Sequence, residues 1–127
     1  MFALVASGGI IGTAARIAIE DSMRKGQFPT ATFIINIFGA FILGVVVTIS
    51  GRYDPSREPM IRAFAGTGIC GGFTTFSTAC LESFNLIRTG DVLLGIGYIL
   101  MTITIGLAAV YAGTVIVGSL LSKREAD

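Results

Sequence analysis

Histidine and tryptophan are absent from this 127-residue chain, proline occurs three times and cysteine twice. With no histidine and no acid pair, a nucleophile, a base and an orienting group cannot be assembled, which argues against an enzyme. Cys70 and Cys80 stand ten residues apart in one apolar stretch. That spacing is neither a zinc pattern nor a disulfide framework, and both read as small apolar core residues. Charge is scarce too: Asp, Glu, Lys and Arg make up 13% of the chain, against about 25% in soluble domains. A net charge of +1 leaves no basic footprint for nucleic acid. No internal repeat or low-complexity stretch stands out.

What fills the chain is apolar. Hydrophobic residues make up 53%, and the mean hydropathy is +0.81. A helix that crosses a bilayer needs roughly 20 mostly apolar residues. Four stretches reach or approach that length, 2–20, 30–50, 60–88 and 92–121, and the whole length suits one domain. The expected fold class is an all-α membrane protein with four transmembrane helices. Short polar connectors separate them: EDSMRKGQFP, GRYDPSREP and RTGD. The first run predicts a retained helix rather than a cleaved leader. No charged segment precedes it, and Arg16 falls where small residues would mark cleavage.

Four spans place both chain ends on one side of the membrane. Arg52, Arg57, Arg62, Lys123 and Arg124 lie there, against Arg24, Lys25, Arg88 and Arg16, if it snorkels that way, on the other. Five against four is almost no bias. The positive-inside rule then allows a single orientation with cytoplasmic ends, or insertion both ways with antiparallel pairing. Four short helices also enclose a pore poorly, which favours a pair of chains. Small residues four apart let helices approach closely, and Gly8/Gly12, Ala40/Gly44 and Gly68/Gly72 have that spacing.

One segment is unlike the rest: GICGGFTTFSTACLE, Gly68 to Glu82. Each glycine in a helix interior costs about 1 kcal/mol relative to alanine, so Gly68, Gly71 and Gly72 predict a break near Gly71–Thr75. Irregular backbone at membrane depth is tolerated only inside protein or beside a water-filled cavity. Broken helices expose carbonyls and amides that coordinate ions. The segment therefore reads as an ion site, or as a packing kink whose hydroxyls bond their own backbone. Beyond it, Thr75, Thr78, Glu82 and Asn85 follow at spacings of three, four and three, one polar stripe on a resumed helix. Glu82 is either an intramembrane functional residue or sits near the surface, with Arg88 six residues on. Asn36 either donates its NH2 group to an anion or bonds a neighbouring helix. Tyr98 and Thr102, four apart, share a face of the fourth span. Arg16 is an interfacial anchor or an electrostatic lure for anions. Hydroxyls, amides and the electropositive edges of phenylalanine rings can hold a small anion weakly enough to release it. Carbonyls can equally carry a cation, so physical chemistry alone leaves the ion open.

Three segments, GGIIGTAAR (Gly8 to Arg16), NIFGAFILG (Asn36 to Gly44) and GICGGFTTFSTACLE, together resemble the Fluc (CrcB-type) fluoride channels. The likeness runs through all four spans. Its GGxTTFST core is specific; GxxGxxxR and NxxG are short but come in the right order. The resemblance implies an antiparallel, dual-topology homodimer with two fluoride pores. It implies a structural sodium ion (Na+) at the dimer centre, held by the backbone carbonyls of Gly71 and Thr74. Asn36 matches the family's pore asparagine, and Phe76 its first pore phenylalanine. Ser77 or Thr78, Glu82, Tyr98 and Thr102 match its polar track, and Arg16 an arginine near the aqueous vestibule. The implied role is passive export of cytoplasmic fluoride across the cell membrane. A negative interior would drive the anion outward by roughly 2.3 kcal/mol per 100 mV.

Two positions depart from the family pattern. A second phenylalanine is expected three residues after Phe76, where this chain has Ala79, and a hydroxyl one turn after Thr102, where it has Gly106. Some members of the family work as two-gene heterodimers, so half of a heterodimer is an alternative expectation, as is a non-conducting accessory subunit. Phe73 lies on the far side of the break and need not supply the missing ring. A small multidrug-type exporter would call for a glutamate in the middle of the first span; here no acid precedes Glu20.

Overall fold

A computed structural model describes residues 1–23, 26–52 and 55–126. Arg24 and Lys25, part of the charge tally above, lie outside the described residues. So do Tyr53 and Asp54 of the second connector, Asp127, and the side chain of Arg124. Among the described residues the structure is helical, with no strand. Helix α1 spans Phe2–Ser22 and α2 spans Thr30–Ser50. A third crossing is built from pieces: α3 (Glu58–Ile61), a π-helical stretch (Arg62–Cys70), one turn α4 (Gly71–Phe73), and α5 (Phe76–Arg88). Helix α6 runs Val92–Ala126. Three helices, α1, α2 and α6, are long and apolar enough to cross a membrane by length and composition. The third crossing contains no single helix of that kind, because its hydropathy and its backbone are both interrupted.

Local chemistry explains the ends. Thr75, extended at φ −147°, caps α5: its Oγ1 accepts the Thr78 N–H, one of the donors a helix start leaves open. At the other end the Asp91 N–H reaches the Leu86 carbonyl (2.9 Å) and the Gly90 N–H the Ile87 carbonyl (3.2 Å). That is the glycine-ended Schellman closure, and it requires the φ of +102° that Gly90 adopts. The chain then turns straight into α6.

Close packing is set by missing side chains. Helix α1 lies against the π-helical stretch, α2 against α6, and α5 against α6. A Cβ on Gly68 would sit 2.9 Å from the Gly8 Cα, and one on Gly72 would sit 3.0 Å from the Gly9 Cα. On the second interface Gly44 faces the backbone of Val110 and Thr114, and Gly113 that of Phe41 and Val45. Gly113 was not among the pairs singled out, although Ala109 and Gly113 have the same four-residue spacing, and Ala40 lines an open groove instead. Inside the chain, Ala79, Leu86 and Tyr98 form a buried cluster against which Phe28, Phe33, Leu94 and Ile99 pack. Ala79, Ser83 and Leu86 form the inward face of α5. Cys80 therefore falls on the outward face and is exposed, so only Cys70 is the core residue expected of both.

Gly12→Ala tests this packing. Its Cβ would run into the carbonyl of Ile69 and the Phe73 nitrogen, backbone atoms that cannot swing aside. The expected cost is about 1–3 kcal/mol, read as a lower thermal midpoint in detergent. Gly118→Ala, which meets nothing within 4 Å, should change stability by less than about 0.5 kcal/mol.

Candidate functional site

The break falls at Thr74 (φ −80°, ψ 155°) and Thr75 (φ −147°, ψ 98°). In a continuous helix the Thr75 N–H would bond the Gly71 carbonyl. Here it bonds Asn36 Oδ1 at 2.8 Å, while Asn36 Nδ2 donates to the Thr75 carbonyl at 3.1 Å. One side-chain amide thus takes both polar groups of the extended residue. The Thr78 N–H, the ordinary partner of the Thr74 carbonyl, is likewise diverted to Thr75 Oγ1 at 3.2 Å. Among the described residues no hydrogen bond reaches the carbonyls of Gly71 or Thr74. The Gly72 carbonyl is treated differently: Thr13 Oγ1 and Arg16 Nε both donate to it, each at 3.3 Å.

Two open spaces flank the break. One is a groove of about 390 Å³ lined by Asn36, Gly71, Thr74, Phe76 and Thr102, with Gly106 and apolar residues of α2 and α6. The other is a cavity of about 600 Å³ at the α1–α2 connection, where Arg16, Glu20, Thr32, Thr78, Glu82, Asn85 and Thr89 meet. The stripe expected on α5 thus faces this cavity from Thr78 onward and extends to Thr89. On the cavity side, Glu82 accepts from Thr32 Oγ1 at its Oε1 and from the Tyr98 hydroxyl at its Oε2, both at 2.8 Å. Tyr98 is buried, at 1% exposure. Thr102 spends its hydroxyl hydrogen on its own helix, donating to the Tyr98 carbonyl at 2.8 Å. Thr75 Oγ1 lies 2.7 Å from Thr78 Oγ1 and 3.5 Å from Ser77 Oγ. Arg16 also pairs with Glu20 at 3.6 Å.

The candidate residues therefore divide. Asn36, Phe76 and Thr102 border the groove; Thr78, Glu82 and Arg16 border the cavity; Tyr98 borders neither and reaches Glu82 from α6. Ser77 is exposed, and Phe76 is 56% exposed. Asn36 makes the inter-segment bond that was one of its two readings, and one of its two N–H groups remains beyond that bond. Thr32 was missed, although it lies four residues before Asn36 and hence on the same face of α2. Phe73 is buried in the chain, its ring edge-on to Phe38 at 6.4 Å. Ala79 has 0% exposure within its own chain.

Among the described residues no cluster of three His, Cys, Asp or Glu side chains is available to a metal. The break instead offers bare backbone oxygens at the C-terminal end of α4. Such donors suit a hard cation, so Gly71 and Thr74 fit the group expected there.

A family model described as CrcB-like protein, Camphor Resistance (CrcB), matches residues 3–114. The chain belongs to this family. It is 38% identical over 131 residues to the fluoride-specific ion channel FluC 2 of Bifidobacterium longum, an alignment covering 98% of this chain and 74% of that protein. Identity is 41% over 115 residues to the fluoride-specific ion channel FluC of Agrobacterium fabrum, covering 87% and 90%. It is 35% over 113 residues to that of Leptospira interrogans, covering 87% and 88%. The CrcB-like model thus takes in α1, α2, the whole broken crossing and most of α6, and with them every candidate site residue.

If the Asn36 amide holds the break, Asn36→Ala strands the Thr75 N–H and carbonyl. The expected loss is about 1–3 kcal/mol, with faster hydrogen exchange at the Thr75 amide. An unchanged thermal midpoint and exchange rate would remove Asn36 from this role.

Proposed function

We propose that this chain is a passive, fluoride-selective anion channel of the cell membrane that releases fluoride from the cytoplasm. The observation that carries the reading is the run of hydroxyl and amide groups between the groove and the cavity. Asn36 is bonded to Thr75, Thr75 to Thr78, and Thr32 and Tyr98 to Glu82. The family relatives bear names of fluoride-specific channels. A small anion entering this run meets donors already held in place. Helix α5 begins at Phe76, so its positive end points into the same region. The Phe76 ring, exposed at the groove, offers its electropositive edge. At the other space Arg16 draws anions toward the cavity mouth. Glu82 accepts from the Thr32 and Tyr98 hydroxyls, and an anion on this path competes for those donors. Ser77 and Thr102 contribute hydroxyl oxygens beside this path.

The working unit in this reading is an antiparallel homodimer with dual topology. The nearly balanced basic residues support it, as does the groove, which opens outward from a single chain and needs a second wall. The carbonyls of Gly71 and Thr74 would hold a structural sodium ion at the centre of that dimer. When bound, it neutralises carbonyl dipoles that the break leaves without donors. The enclosed packing of Ala79 inside its own chain favours the homodimer over half of a heterodimer. An acid-driven multidrug exporter is not favoured, since Arg16 and Glu20 pair at the end of α1.

Liposomes containing only this chain, with valinomycin to carry compensating potassium, provide the test. Fast fluoride efflux with little chloride efflux, read with ion-selective electrodes, is expected. A folded chain that passes neither ion defeats the self-sufficient channel, and equal passage of both defeats the selectivity. Phe76→Ile should slow fluoride by at least about tenfold, the scale of one aromatic contact of ~1.4 kcal/mol. Asn36→Asp should suppress it further by placing a negative charge at the groove.

A further inference from the structure

The break interrupts one backbone but treats neighbouring carbonyls unequally. Gly71 and Gly72 are adjacent, yet they face different surroundings. A Cβ on Gly72 would meet the Gly9 backbone at 2.5–3.1 Å, whereas one on Gly71 would meet nothing within 4 Å. Gly72 is therefore pressed against α1, and Gly71 opens to the groove that Thr74 also lines. From α1, Thr13 and Arg16 reach across to one and the same oxygen, the Gly72 carbonyl.

We propose that Thr13 is a positioning residue for a cation site at the break: with Arg16 it occupies the Gly72 carbonyl, so that a cation is held by Gly71 and Thr74 on the groove side. This rests on the cation reading given under the proposed function and adds a residue to it. The physical reason is competition for lone pairs. A carbonyl already accepting from a hydroxyl and a guanidinium has little left for a cation, and the positive charge of Arg16 repels one from that side. Gly71 and Thr74 line the groove, and no charged residue stands among the groove-lining residues. Without the Thr13 hydroxyl, the Gly72 carbonyl is held by Arg16 alone. The α4 turn can then rotate its oxygens between the two sides, and the groove-side pair is less well ordered. Thr13 touches neither the groove nor the cavity, so its effect on the cation can be separated from any effect on the anion path. Arg16 cannot serve as the probe, because it also lines the cavity.

The experiment titrates sodium into the purified, detergent-solubilised chain in a background of N-methyl-glucamine salt. The readout is the thermal unfolding midpoint, and fluoride efflux is followed in parallel. The wild-type chain should be stabilised by sodium in a saturable way. Thr13→Val, equal in shape but without the donor, should need about fivefold more sodium for half its effect, the scale of one neutral hydrogen bond. Thr13→Ser, which keeps the hydroxyl, should restore the wild-type value. Thr13→Ala covers the case in which the second methyl of valine jams against α4. A wild-type sodium midpoint in both Thr13→Val and Thr13→Ala overturns the proposal. An equal shift in Thr13→Ser overturns it too, because the effect would then be packing. A wild-type chain indifferent to sodium defeats the cation reading together with this inference, while its fluoride efflux still judges the channel reading on its own.

Discussion

At Thr75 the helical ladder loses a bond and a side chain from another helix replaces it. Most of what distinguishes this chain from a plain bundle of apolar helices follows from that exchange. In hydrocarbon an unpaired N–H or carbonyl costs several kcal/mol. The break can exist only because Asn36 takes both polar groups of Thr75, and because the Thr75 hydroxyl takes the Thr78 N–H. The two diverted N–H groups are the ones that would have bonded Gly71 and Thr74. The same substitutions that stabilise the extended residues therefore release the carbonyls that make a cation site conceivable.

The glycines hold this arrangement in register. Because Gly8, Gly12, Gly68 and Gly72 have no side chains, α1 lies directly on the backbone of the broken crossing. That closeness brings Thr13 and Arg16 within reach of the Gly72 carbonyl. Gly44 and Gly113 act similarly between α2 and α6, which fixes the position of Asn36 and Thr32 relative to Tyr98. Packing and polar pairing are thus one problem: an added methyl at the contact would also displace the donors that satisfy the break.

The break also divides charge. It ends one short helix and begins another, so a negative helix end and a positive one lie a few residues apart. Gly71 and Thr74 line the groove, whereas the hydroxyls of Ser77 and Thr78 follow at the start of α5. In the proposed reading one interruption serves a cation and an anion path, in a chain without histidine and, among the described residues, without a buried lysine.

Membrane character, the number of crossings, the position of the break and the stripe from Thr78 to Asn85 were all legible in the sequence, because hydropathy, glycine cost and helical periodicity are local properties. The family was legible for a similar reason: its specific residues are contiguous between Gly71 and Thr78. Other features belong to the tertiary structure alone. That Asn36 pairs with Thr75, that Thr32 joins Tyr98 on Glu82, and that Thr13 reaches Gly72 depend on which helices touch and at what height. Those contacts span 39, 50 and 59 residues of sequence. Exposure was decided the same way. Cys80 and Ala79 are neighbours on one helix, yet one faces outward and the other is sealed against Tyr98, because α6 covers only one side of α5. The sequence by itself determined where the third crossing breaks, because glycine cost is local; the packing of α1 and α2 decided which of the freed backbone groups find hydrogen-bond donors and which do not.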